Sequence, residues 1–375
     1  MINWITNDII SFLISVVVAG LIIPQILIIA YRKKLFDEID PRKVHEGTVP
    51  RLGGIAFFPS ILFSIALVAG INMKLSEGGC LQWFEMSLSP MYLMICAVIL
   101  MFLVGMADDL VGVKYRAKFV VQILASVLVI MSGMVIDNFH GLLWLHELPT
   151  AVGWIFTSFA IVYVVNSINL IDGIDGLASG LSTVALVFYA VIFYFSGEYV
   201  YSMLASASAG TLLPFFYYNV FGNPAKQKKI FMGDAGALTT GMILAFCSIA
   251  VLHLDVPDFS VTFNPVVIAV SPLIIPCFDV VRVSLHRMIR HRNPFLPDKC
   301  HIHHKLLALG MHQRGALCLI MVFSMLFILF NVLVSPYVNP TLIVAFDVVI
   351  YSVANILLTR AIKQREISIG QLLYQ

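Results

Sequence analysis

Charge is what this sequence lacks most. Only 12% of its 375 residues are Asp, Glu, Lys or Arg, about half of the ~25% usual in soluble domains. Hydrophobic residues make up 60% and the mean hydropathy is +0.94. A soluble globular fold is excluded, because so large an apolar surplus has to face lipid as well as fill a core. A surplus of one sign of charge is also missing. The 23 Lys+Arg and 21 Asp+Glu leave +2, which argues against a nucleic-acid partner and against disorder. Cysteine is sparse: Cys80, Cys96, Cys247, Cys277, Cys300 and Cys318 form no CxxC pair, and most lie in apolar runs where a thiol behaves as a small hydrophobe. No disulfide framework is legible. The first thirty residues lack the basic start and the small-residue cleavage site of a secretory signal, and they run into Tyr31-Arg32-Lys33-Lys34. They are expected to remain as a first membrane span.

Long apolar runs are plentiful. A helix needs about 20 mostly apolar residues to cross the hydrocarbon core, and eleven segments approach this: 8–30, 52–73, 90–107, 118–136, 151–168, 177–196, 199–218, 236–253, 264–286, 315–335 and 340–360. The runs are continuous and do not alternate as barrel strands do, so the expected fold is all-α, polytopic and a single integral membrane domain. Assigning alternate loops to one side puts 22 of the 23 basic residues on the same face, leaving only Lys74 opposite. By the positive-inside rule the amino terminus is then outside and the carboxyl terminus cytoplasmic. The outer loops are short, so chemistry is expected on the cytoplasmic face, in segments 31–51, 108–117, 169–176, 219–235 and 287–314.

Carboxylates and imidazoles gather in those segments: Asp108-Asp109, then Asn169-Leu-Ile-Asp172-Gly-Ile-Asp175-Gly176, then Gly233-Asp234-Ala-Gly236, then His301-Ile-His303-His304. A carboxylate beside hydrocarbon is costly unless paired, hydrated or bound to a cation, so several converging there mark a site. Alone, Asp108-Asp109 reads equally well as a polar helix cap. Residues 169–176 read either as a helix with its three polar groups on one face or as a glycine-broken turn that lines a loop. Oxygen ligands favour Mg2+ or Mn2+ over zinc, and Mg2+ is commonly held by one or two carboxylates plus substrate phosphates. Zinc on the histidines is disfavoured, because no second cysteine pair or HExxH accompanies them. The basic residues of the last loop, Arg292 among them, suit phosphate binding or plain anchoring. Asp279 either joins the site or pairs with Arg282 at i+3, and Asp347, in the outer half of its span, is expected to make a helix–helix hydrogen bond. An ion transporter is the contrasting reading, but it would place acids at mid-span and show internal repeats.

These four strings, in this order and extended by Phe231-Met232 before Gly233 and by Pro297-Asp298 before His301, resemble those of the polyprenyl-phosphate N-acetylhexosamine-1-phosphate transferase superfamily. Arg42-Lys43-Val44-His45 followed by Pro50-Arg51-Leu52-Gly53-Gly54 looks like its undecaprenyl-phosphate N-acetylglucosaminyl branch. The branch using UDP-N-acetylmuramoyl-pentapeptide is the runner-up. The resemblance implies a Mg2+- or Mn2+-dependent enzyme of the cytoplasmic membrane. It would move N-acetylglucosamine 1-phosphate from a UDP-sugar to the lipid undecaprenyl phosphate, releasing UMP and starting an envelope polysaccharide such as O-antigen, common antigen or a teichoic acid linkage. Asp234 is implied as a metal ligand, and Asp108 or Asp109 as a second ligand or the group that deprotonates the lipid phosphate. Asp172, His301, His303 and His304 join the catalytic set. Asn169, Asp175, Phe231, His45, Arg51 and Arg292 are implied in substrate binding. Direct attack by the lipid phosphate is favoured over an aspartyl intermediate, and a homodimer is left open.

Overall fold

The computed structural model describes residues 4–35, 49–75, 81–254, 263–289, 291 and 301–369, with the side chains of 75, 81–88 and 368–369 left aside. Among the described residues there is no β-strand, only an isolated antiparallel bridge between Asn138 and Glu147. Helix is the outcome that apolar runs dictate, because each backbone amide then finds its partner inside its own segment. The long helices are α1 (Trp4–Lys33), α2 (Phe57–Leu75), α3 (Leu81–Val111), α4 (Tyr115–Met131), α5 (Thr150–Ile171), α6 (Leu177–Phe195), α7 (Tyr199–Val220) and α8 (Gly233–Leu252). Then α9 (Pro265–Val270) passes through a 3-10 turn at Ser271–Leu273 into α10 (Ile274–Ile289). The short α11 (Ile302–Ala308) precedes α12 (Gln313–Val334) and α13 (Pro340–Ile369).

Among the described residues, nine helical segments are long and apolar enough to cross a bilayer, and the chain is a multi-pass membrane protein. Two of the eleven expected spans fall outside the nine, for different reasons. The run 118–136 folds as α4, which at 17 residues is short. The run 199–218 folds as α7, whose Tyr, Ser and Pro214 lower its hydropathy. A helix packed inside a bundle does not need the apolarity that lipid demands, and α7 is buried along most of its length against α1 and α6.

The centre of the bundle is α8, with 89% of its apolar stretch buried, against 28% for α1 and 22% for α13. It packs against α3, α5, α6 and α9. Small residues permit this. A Cβ placed on Gly54, in the 3-10 turn Gly53–Ala56, would lie 1.9 Å from the Gly236 nitrogen, and one on Gly105 of α3 would lie 2.5 Å from the Ala235 Cα. Backbones thus touch where side chains would otherwise stand. Polar pairs fix the rotation of neighbouring helices. Asn166 Nδ2 of α5 donates to Gln122 Oε1 of α4 at 2.8 Å, and the Ser126 and Ser158 hydroxyls lie 2.6 Å apart.

Asp347 makes the expected helix–helix bond, accepting from Asn331 Nδ2 at 2.9 Å, and the same amide reaches Ser271 Oγ at 3.0 Å. This joins α13, α12 and the 3-10 turn before α10. Asp347→Asn keeps an acceptor in place and is expected to leave turnover within about threefold of wild type. Loss of turnover without loss of folded protein would bring Asp347 into the site.

Candidate active site

The sequence strings meet at one end of the bundle. In the last turn of α3, Asp108 Oδ1 accepts from the Val113 amide at 2.7 Å, and Asp109 turns the other way. The Asp109 carboxylate accepts from the Asp234 and Ala235 amides at 2.7 and 2.9 Å. It therefore caps the first turn of α8, where unpaired N–H groups and the helix dipole favour an anion. Gly233, at φ +70°, makes the approach feasible, since a Cβ there would lie 2.5 Å from Asp109 Oδ2. Asp108 and Asp234 instead share a cation. Lys118 Nζ lies 3.2 Å from Asp108 Oδ2 and 2.8 Å from Asp234 Oδ2.

Two carboxylates, Asp108 and Asp234, thus face a single ammonium, an anionic pair that suits a divalent cation. Among the described residues no group of three or more His, Cys, Asp or Glu side chains forms a metal cage. The donor set fits Mg2+ or Mn2+, which keep waters and substrate phosphates among their ligands and need only one or two carboxylates. It does not resemble a closed zinc site. Lys118 went unrecognised in the sequence, where it counted only toward the basic face. One signal was available: Lys118, Gln122 and Ser126 recur every fourth residue and form a polar stripe on α4.

Residues 169–176 adopt the turn and not the continuous helix. The helix α5 ends at Ile171, Asp172 is its exposed C-cap, and Gly176 takes φ +79°. Asp175 Oδ2 pairs with Lys229 Nζ at 2.5 Å. Asn219 of α7 stitches the turn to the segment before α8, accepting from the Gly176 amide at 2.6 Å and donating to the Ile230 carbonyl at 2.8 Å. That segment pairs in turn with the Pro50–Gly54 strip, through Phe231 N to Pro50 O at 2.9 Å and Gly53 N to Phe231 O at 3.0 Å. The turn that carries Asn169, Asp172 and Asp175 is thus tied through Asn219 to the strip that carries Phe231, and Arg51 is partly buried beside Gly233. Lys229 and Asn219 were not singled out in the sequence, because their partners lie 54 and 43 residues away.

The histidine segment hangs on Asp279. This fully buried carboxylate accepts from Arg282 Nη2 at 2.8 Å, the expected i+3 pair, and also from His301 Nδ1 at 2.7 Å. Further along, His303 is 1% exposed and packs its ring on the turn, where a Cβ on Gly173 would meet Nε2 at 2.1 Å. Among the described residues, neither His303 ring nitrogen has a hydrogen-bond partner. Burial, with His304 and His301 beside it, holds the His303 imidazole well below its ordinary value and therefore neutral. The His303 and His304 rings are 4.2 Å apart. His45 and Arg292 lie outside the described residues.

Residues 91–252 match the glycosyl transferase family 4. A probable undecaprenyl-phosphate N-acetylglucosaminyl 1-phosphate transferase of Bacillus subtilis strain 168 is 30% identical over 347 residues, covering 92% of this chain and 89% of the relative. The chain belongs to glycosyl transferase family 4. It falls in the polyprenyl-phosphate sugar-1-phosphate transferase branch that its motifs resemble. Proteins named undecaprenyl-phosphate alpha-N-acetylglucosaminyl 1-phosphate transferase from Yersinia pestis and Salmonella typhi are 29% and 31% identical, each over 294 residues, 78% of this chain and 74% of theirs. Within the family 4 match lie Asp108, Asp109, Lys118, the 169–176 turn and Asp234, whereas Asp279 and the histidines lie beyond it.

Proposed function

We propose that this glycosyl transferase moves N-acetylglucosamine 1-phosphate from UDP-N-acetylglucosamine to undecaprenyl phosphate at the cytoplasmic face of the cell membrane, giving undecaprenyl diphosphate N-acetylglucosamine and UMP. The observation that carries this reading is the convergence of Asp108 and Asp234 on one cation position, with Asp175 tied to Lys229 in the strip before Asp234 and the His303 ring packed on the Asp175 turn at Gly173. The names of the relatives support the acceptor and the sugar. The distribution of basic residues supports eleven spans, with α4 and α7 included, and a cytoplasmic site. The product would begin an envelope polysaccharide such as O-antigen or a teichoic acid linkage.

The reaction joins two anions, so the site has to offset their repulsion before they can approach. Asp108 and Asp234 would hold Mg2+ or Mn2+, which when bound supplies positive charge to the diphosphate. The residues of the chain do the rest. Lys118 adds a fixed positive charge between the two carboxylates. Asp109 braces the first turn of α8, so that Asp234 keeps its direction. The turn from Asn169 to Gly176, tied down by Asn219 and Lys229, offers hydrogen-bonding groups to the nucleotide. A lipid phosphate oxygen attacks the β-phosphorus, the bond from that phosphorus to the bridging oxygen breaks, and UMP leaves with the electron pair. The lipid phosphate is already ionised near neutral pH, so no covalent enzyme phosphate is needed. Catalysis rests on positioning and charge stabilisation, as in phosphoryl transfer generally.

The purified protein in detergent, given UDP-N-acetylglucosamine, undecaprenyl phosphate and Mg2+, is expected to release UMP, and to release none without the lipid. Release from UDP-N-acetylmuramoyl-pentapeptide but not from UDP-N-acetylglucosamine would transfer the protein to the runner-up branch. Absence of release from any UDP-sugar would remove the assignment.

A further inference from the structure

Among the described residues, Asp279 is a buried carboxylate bonded to the histidine segment for which the mechanism above has no use. It lies in α10, 0% exposed, and among the described residues its hydrogen-bond partners are all donors. Oδ1 accepts from Arg282 Nη2 at 2.8 Å, from Arg282 Nε at 3.3 Å and from the Tyr351 hydroxyl of α13 at 3.0 Å. Oδ2 accepts from His301 Nδ1 at 2.7 Å, and the Ile302 amide reaches both oxygens at 3.2 and 3.3 Å. An oxygen pair so surrounded acts only as an acceptor, and the hydrogen between Oδ2 and Nδ1 therefore belongs to the histidine. That fixes one tautomer of His301 and leaves Nε2 as the ring nitrogen available to a ligand.

We propose that Asp279, supported by Tyr351, is a positioning residue of the transferase that locks His301 in the Nδ1–H tautomer and aims its Nε2 at a phosphate of the bound sugar nucleotide. The proposal rests on the functional reading above and deepens it. The same carboxylate holds the first amide of α11, so it also sets where His303 meets Gly173. When Nε2 carries a proton and donates to a phosphate oxygen, the Asp279 carboxylate faces the positive ring from the opposite edge, an arrangement that hydrogen-bonded carboxylate–imidazole pairs use to orient a charged donor. Asp279 makes no contact with Asp108, Asp234 or Lys118, so it acts on the histidine segment and not on the cation position.

Two measurements test this on the full-length protein. Solid-state NMR of histidine-15N-labelled protein in lipid bilayers, with His301→Gln used to identify the His301 signals, is expected to show a protonated Nδ1 in wild type and its loss in Asp279→Asn. An unprotonated Nδ1 on His301 in the wild type would overturn the proposal, whatever the enzyme turns over. In the UMP-release assay, Asp279→Asn is expected to lower kcat about 100-fold in the wild-type background, the scale of a lost acid–base or orienting contact. In the His301→Gln background it should cost less than about threefold more, because the two residues act as one unit. Equal losses in both backgrounds would show that Asp279 acts by some route other than His301. Tyr351→Phe keeps the ring that packs on Phe278 and is expected to give a smaller loss, about three- to tenfold. If Asp279→Asn fails to fold, the wild-type spectrum and the Tyr351→Phe assay still decide. If the wild type releases no UMP from any UDP-sugar, the functional reading fails while the NMR result stands on its own.

Discussion

Asp234→Asn is expected to cut UMP release by about 100- to 1,000-fold, the range seen when one preorganised charge-stabilising group is removed from a site. It should also move the Mg2+ midpoint upward by about tenfold, roughly 1.4 kcal/mol of metal affinity. The reason is geometric. Asp234 Oδ2 and Asp108 Oδ2 face one ammonium at 2.8 and 3.2 Å, and an amide at 234 would contribute an oxygen without its charge. Asp279→Asn should lower turnover while leaving the Mg2+ midpoint where it is, because its carboxylate serves the histidine segment. Titrating UMP release with Mg2+ in the two variants separates the roles. An unchanged midpoint in Asp234→Asn would take Asp234 out of the metal site.

The second large effect lies in the packing beneath the site. A Cβ on Gly54 would stand 1.9 Å from the Gly236 nitrogen and 2.2 Å from its Cα. Both obstacles are backbone, so no side chain can rotate aside. Relief requires the 3-10 turn and the start of α8 to part, which would break Gly54 N to Met232 O at 2.8 Å and shift Asp234. Gly54→Ala is expected to destabilise the protein by about 3 kcal/mol, the upper part of the usual range for overpacking. Turnover should fall with it. Gly70→Ala is the matched control, because nothing lies within 4 Å of a Cβ there, and in the helix α2 alanine is favoured by up to about 1 kcal/mol. Thermal unfolding in detergent, followed by UMP release, distinguishes the two. A Gly54→Ala protein that unfolds with wild type would disprove the tight backbone contact.

The helical character and the grouping of the acid strings were legible because lipid imposes a strong rule on every residue in a span, and because motifs at helix ends on the same face have few places to go. The contact network was much less legible. Lys118 looks like an ordinary anchor at a helix start, and only the fold reveals that it meets a carboxylate 116 positions later. Tyr351 sits in an apolar run where an aromatic ring needs no explanation until its hydroxyl is seen on Asp279. The pair Asp108-Asp109 is ambiguous for a deeper reason. One residue faces a cation and the other a helix terminus, and identical side chains in adjacent positions carry no mark of which does which. The polar α7 escapes a hydropathy criterion because that criterion assumes lipid on all sides, whereas its neighbours here are other helices.

The burial of α8 sets the electrical environment at its amino-terminal end. A rod sheathed by protein along nearly its whole length has surroundings of one composition, whichever lipids the bilayer contains. The potential that its opening amides create at the two carboxylates beside them is consequently written into the polypeptide, and a change of membrane composition reaches it only through the outer ring of helices.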